Sequence, residues 1–149
     1  MERFELFTAL VANASRCIHK IKSEEMQEFS LKSSHVSCLY YLYKVKSLTA
    51  KEICDMCGED KANISRTIRF LEGEGYIYCP SMTARRYQSA FFLTEKGIQV
   101  GKNITEKIDK VLFNASKGLT EENRKIFYES LSLICKNLEE ICLNYKDSN

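Results

Sequence analysis

Between Thr49 and Leu93 the hydrophobic period of this chain switches from helical to alternating, and that switch limits the folds open to it. Thr49-Ala50-Lys51-Glu52 is a capping box, in which the Thr hydroxyl accepts from the Glu52 amide and the carboxylate reaches back. It predicts a short helix with Ile53 and Met56 inward, ended by Gly58. A second short helix begins near Asp60 and puts Ile64, Ile68 and Leu71 on one face, with Gly73 and Gly75 closing it. Tyr76-Ile77-Tyr78-Cys79, stopped by Pro80, and the stretch from Tyr87 to Leu93 then read as two strands around a polar turn, Ser81 to Arg86. Two short helices across a tight turn, followed by such a hairpin, make a winged helix-turn-helix with a two-stranded β wing.

Helices flank this centre. Residues 1–30 read as one long helix, with Phe4, Phe7, Val11, Ala14, Ile18 and Ile21 at steps of three and four. Ser33 or Ser34 caps a second helix that buries Val36, Leu39, Tyr40 and Tyr43, and Lys44 to Leu48 is a connector. Thr94 caps a long helix running to Lys117-Gly118, and Thr120 starts the last, whose stripe is Phe127, Leu131, Ile134, Leu138, Ile141 and Tyr145. The expected class is mainly α, and 149 residues suit a single domain. No apolar run approaches the roughly 20 residues of a membrane span. The first residues, Met1-Glu2-Arg3-Phe4-Glu5, are acidic where a secretory signal would be basic, so a cytoplasmic location is expected.

The net charge of +2 hides an uneven distribution. Residues 31–50 carry +3 and residues 61–102 carry +4, against −1 for residues 1–30 and −2 for residues 119–149. Opposite the packing face of the second short helix lie Lys61, Asn63, Ser65, Arg66 and Arg69, with Ala62 small enough for close approach and no carboxylate between Lys61 and Leu71. A solvated helix more often mixes both signs. Short polar and basic side chains on one face are what the major groove of double-stranded DNA requires. Arg85 and Arg86 at the hairpin tip suit minor-groove or phosphate contact, the alternative being a plain surface turn. Ser33 and Ser34 are placed either to hold a backbone phosphate or simply to cap their helix.

Three segments resemble one family in register. Leu71-Glu72-Gly73-Glu74-Gly75-Tyr76-Ile77 resembles the Leu-Glu-x-x-Gly-Leu-Ile stretch of MarR-type transcriptional regulators. Leu93-Thr94-Glu95-Lys96-Gly97 is similar to their Leu-Thr-x-x-Gly segment, and Asn63-Ile64-Ser65-Arg66 to their recognition-helix pattern. The resemblance implies a homodimeric repressor or activator on a pseudo-palindromic operator, with long terminal dimerisation helices. On that plan residues 31–97 form the DNA-binding lobe, and 1–30 with 98–149 the dimerisation lobe of a single MarR-like domain, 1–149. It also implies a small-molecule effector, for which Arg16, His35 and Tyr40 are candidate linings and core packing is the alternative for Tyr40. One departure stands out: where that family's wing carries Asp-x-Arg, counting back from Leu93 finds Arg85 and Tyr87. Either the wing is slipped by a residue and Arg86 serves, or the brace is missing.

The rival reading is a thiol enzyme or redox switch. Cys54-Asp55-Met56-Cys57 has the C-x-x-C spacing, but it sits beyond the first helical turn, away from the helix N-terminus that would acidify a thiol. No second C-x-x-C or histidine pair follows to complete a zinc site, so no metal or other cofactor is expected. Most of the cysteines are expected to be buried packing thiols, with Cys17 a buried thiol of an interface. No nucleophile elbow or phosphate loop occurs, which points away from an enzyme.

Overall fold

A computed structural model describes residues 3–80 and 88–146. Its elements run α1 (Arg3–Glu25), a 3-10 turn (Gln27–Phe29), α2 (Ser33–Val45), β1 (Ser47–Thr49), α3 (Ala50–Cys57), α4 (Lys61–Gly73), β2 (Ile77–Tyr78), β3 (Ala90–Leu93), α5 (Glu95–Ala115) and α6 (Glu121–Lys146). The chain forms two compact units, residues 1–109 and residues 110–149.

In the first unit the core is built from Val36, Leu39 and Leu42 of α2, Ile53 of α3, Ile64, Ile68 and Leu71 of α4, Ile77 and Phe91 of the sheet, and Ile104 of α5. Each such side chain stabilises the fold by about 1.5–3 kcal/mol when fully buried. The predicted capping box is present: Thr49 N–H donates to Glu52 Oε2 at 2.7 Å, and Glu52 N–H to Thr49 Oγ1 at 3.3 Å. The Thr49 N–H and the Thr49 hydroxyl, which donates to the same Oε2 at 2.8 Å, hold the Glu52 carboxyl below its usual pKa. Gly58 then takes a left-handed φ of 64° and ends α3.

Several expectations need correction. The first helix stops at Glu25, because Met26 turns into the core and begins a 3-10 turn. Lys32, not a serine, is the N-cap of α2, with its N–H donating to His35 Nδ1 at 3.2 Å. Met56 is exposed, and the residues of α3 buried in the core are Ala50 and Ile53, with Cys54 and Cys57 packed against it. The expected connector after Lys44 contains β1, so the sheet has three antiparallel strands in the order β1-β3-β2. A three-residue strand is too short to show a period, and its partner β3 lies far along the chain.

The two motif segments around β2 and β3 meet in space. Thr94 Oγ1 donates to the Gly75 carbonyl at 2.7 Å and accepts from Gly97 N–H at 3.0 Å. Lys96 Nζ donates to the Glu74 carbonyl at 2.7 Å and lies 4.1 Å from the centre of the Tyr76 ring. The start of α5 is thereby fixed to the end of α4.

The cysteines within the single chain differ in burial. Only Cys38 is buried; Cys54, Cys57 and Cys79 are half-buried, and Cys17, Cys135 and Cys142 are exposed. The exposed three sit on α1 and α6, each of which also carries exposed apolar residues. Leu10, Val11 and Ile18 of α1 are exposed, as are Phe127, Leu138, Ile141 and Tyr145 of α6. Among the described residues no helix is long and apolar enough to cross a membrane.

Candidate nucleic-acid interface

The site is built on α4. Asp60 caps it, accepting from Asn63 N–H at 2.8 Å. Ile64, Thr67, Ile68 and Leu71 are buried, leaving Lys61, Ala62, Ser65, Arg66 and Arg69 exposed. The face separation drawn from the sequence therefore exists in three dimensions, with Asn63 as the half-exposed member of the set. Its Nδ2 donates to Glu59 Oε2 at 2.6 Å.

Two contacts set how α4 is rotated about its own axis. Thr67 Oγ1 donates to Ser34 Oγ at 3.1 Å, and the His35 ring stacks on Phe70 with centroids 4.2 Å apart and planes 7° from parallel. Consecutive residues of α2 thus grip two residues of α4 that lie one turn apart. With Thr67 and Phe70 held, Arg66 and Arg69 must point away from α2. Sequence reading missed Thr67, Phe70 and Glu59; a threonine inside an apolar stripe was the available signal for the first.

Ser33 and Ser34, expected either to hold a phosphate or to cap their helix, differ in exposure. The Ser34 side chain is buried and already accepts the Thr67 hydroxyl, whereas Ser33 is exposed at the start of α2. Arg85 and Arg86, and with them the question of the wing brace, lie outside the described residues. Among the candidate effector linings, Arg16 is exposed and bonded to Asn13, Tyr40 packs on Tyr41, and His35 is buried against Phe70.

The electrostatics around Cys57 do not favour thiol chemistry. Burial pushes the Cys57 thiol up to about 11, only partly offset by the Lys22 ammonium. Burial and the Asp55 and Asp60 carboxylates raise Cys54 as well, and burial raises Cys38. Thiols held in the protonated form are poor nucleophiles at neutral pH. Among the described residues no group of three or more His, Cys, Asp or Glu is arranged to hold a metal ion.

Comparison with known structures bears on this arrangement. The chain superposes on NMB1585, a MarR family regulator from Neisseria meningitidis, with a TM-score of 0.82 and 18% identity, covering 95% of this chain and 96% of that one. The chain has the winged-helix fold of the MarR family. A second structure, the S. aureus MepR–DNA complex, matches with a TM-score of 0.77 and 20% identity over 92% of this chain and 99% of its own. In sequence, the chain is 24% identical over 138 residues to the uncharacterized HTH-type transcriptional regulator YwaE of Bacillus subtilis, 93% of this chain and 81% of that protein. No family model matches the chain. These relatives are transcriptional regulators, not enzymes.

Proposed function

We propose that this protein is a homodimeric DNA-binding transcriptional regulator, acting as a repressor, that reads a pseudo-palindromic operator through α4 and the wing. The observation that carries the reading is the exposed face of α4: Lys61, Ser65, Arg66 and Arg69 stand clear of a buried apolar face, with no carboxylate among them. A helix of that kind fits the major groove, where arginine pairs with guanine edges and with phosphates. The MarR fold and a structural neighbour solved on DNA support the same reading.

Dimerisation is supported by the exposed apolar residues along α1 and along α6, since exposed apolar faces mark interaction sites. In this scheme residues 31–97 contact DNA and the terminal helices pair two chains, placing two copies of α4 about one DNA turn, ~34 Å, apart. A small-molecule effector is the second class of partner, and the cytoplasm is the place of action.

The test is an electrophoretic mobility assay on duplex DNA from upstream of the protein's own gene, run from about 50 to 200 mM salt. Retardation that falls steeply with salt is expected, because neutralised phosphates release counterions. Binding indifferent to salt and to Arg66→Ala overturns the reading.

A further inference from the structure

The bond between Asn63 and Glu59 fixes more than the shape of a turn. Glu59 lies in the turn between α3 and α4, and its Oε2 accepts from Asn63 Nδ2 at 2.6 Å. A carboxylate can only accept hydrogen bonds, so the orientation of the Asn63 amide is set by chemistry: the NH2 must face Glu59. Oδ1, an acceptor, is then the end turned away from Glu59, and one N–H of Nδ2 is already committed. Asn63 is half-exposed in the first turn of α4, between Lys61 and Arg66 on the same chain segment.

Glu59 also lies in the field of a cation. The Lys22 ammonium of α1 attracts its carboxylate while donating to Ser37 Oγ of α2 at 2.7 Å.

We infer that Glu59 is a positioning residue for sequence recognition, locking Asn63 so that it presents Oδ1 as a hydrogen-bond acceptor to one base of each half-site. This rests on the proposed DNA-binding function. In the major groove an acceptor pairs with the exocyclic amines of adenine (N6) or cytosine (N4), and it is repelled by the acceptors that guanine (O6, N7) and thymine (O4) present there. An unrestrained asparagine would read either class by turning its amide over. The Glu59 carboxylate removes that freedom. It does so at the cost of a negative charge near a polyanion, which lowers affinity for every sequence alike.

The test is selection of binding sites from a randomised duplex library by the full-length protein, compared with its Glu59→Gln and Asn63→Ala variants. Melting curves of all three confirm that they fold. For the unaltered protein one position per half-site should prefer adenine or cytosine over guanine or thymine by about fivefold, the effect of one hydrogen bond near 1 kcal/mol. Glu59→Gln keeps the shape but can either donate or accept, so the Asn63 amide regains both orientations. That variant should bind DNA at least as tightly while the preference at this position collapses. Asn63→Ala should lose the same preference and no other. A purely structural Glu59 would instead leave base preference intact in the near-isosteric variant, and that result overturns the inference alone. So does a selected site unchanged by Asn63→Ala. Failure of the unaltered protein to enrich any duplex overturns the DNA-binding reading itself, and the inference with it.

Discussion

The Cα of Gly97 packs so closely on the carbonyl oxygen of Tyr76 that a β-carbon there would overlap it. That contact explains why the glycine and the threonine three residues before it belong to one motif. Thr94 caps α5 and ties it to Gly75, and Gly97 lets the first turn of the helix lie on the backbone where α4 gives way to β2. Gly97→Ala should therefore destabilise the protein by about 1–3 kcal/mol or more, because backbone cannot yield as a flexible side chain can. Gly101→Ala, which meets the Tyr43 side chain at 3.1 Å, should cost less. Urea unfolding of the two variants checks the order; equal midpoints would contradict it.

Arg66→Ala should weaken binding to a selected operator by about 1–3 kcal/mol if the guanidinium meets a base edge. The fold should be untouched, since Arg66 is exposed and the buried face of α4 is unchanged. Fluorescence anisotropy at fixed salt measures the loss, and thermal unfolding serves as the control.

Stability should fall on mild acidification because of His35. Burial, with the Lys32 charge beside it, lowers its pKa below the ordinary 6.5, and Nδ1 accepts the Lys32 N–H. The folded state thus binds this proton less readily than the unfolded chain. Its contribution is fully present above about pH 6.5, is lost as pH falls from there through the folded pKa, and then levels off. Urea midpoints between pH 7.5 and 5 should drop in the unaltered protein and drop less in His35→Gln. Parallel profiles would refute the assignment.

Cys54 and Cys57 should alkylate more slowly at pH 7 than an ordinary free thiol, with Cys57 gaining reactivity only as pH approaches about 11. Mass spectrometry after timed iodoacetamide treatment reads both sites. Rapid peroxide-driven modification of the pair at neutral pH would restore the redox-switch reading.

Dimerisation through the terminal helices predicts that Leu138→Glu or Leu10→Glu shifts the protein to monomers in sedimentation velocity runs. Both side chains are exposed in the single chain, at 46% and 59%, so neither substitution disturbs the core. Unaltered protein that already sediments as a monomer would end the proposal.

Much of this architecture could be read locally. A capping box, a glycine C-cap and an apolar step of three and four each act within a turn or two of helix, so Thr49–Glu52, Gly58 and the Ile64-Ile68-Leu71 face were visible in order. The basic, carboxylate-free side of α4 follows from that face by geometry alone, because a helix that buries one side must show the other.

What the chain decides only on folding are relationships between distant residues. Strand β1 exists because Leu48 finds Phe91 across a ladder, not because three residues prefer to be extended. Ser34 reads as a free cap until Thr67, 33 residues on, claims its hydroxyl. Glu59 and Asn63 lie four residues apart, yet their bond needs the turn after α3 to place a carboxylate beside the first turn of α4. Local hydrogen bonds and periodicity are encoded where they act, and therefore determine which helices form and which sides they bury. Side-chain partners across elements depend on packing, which only the assembled core sets.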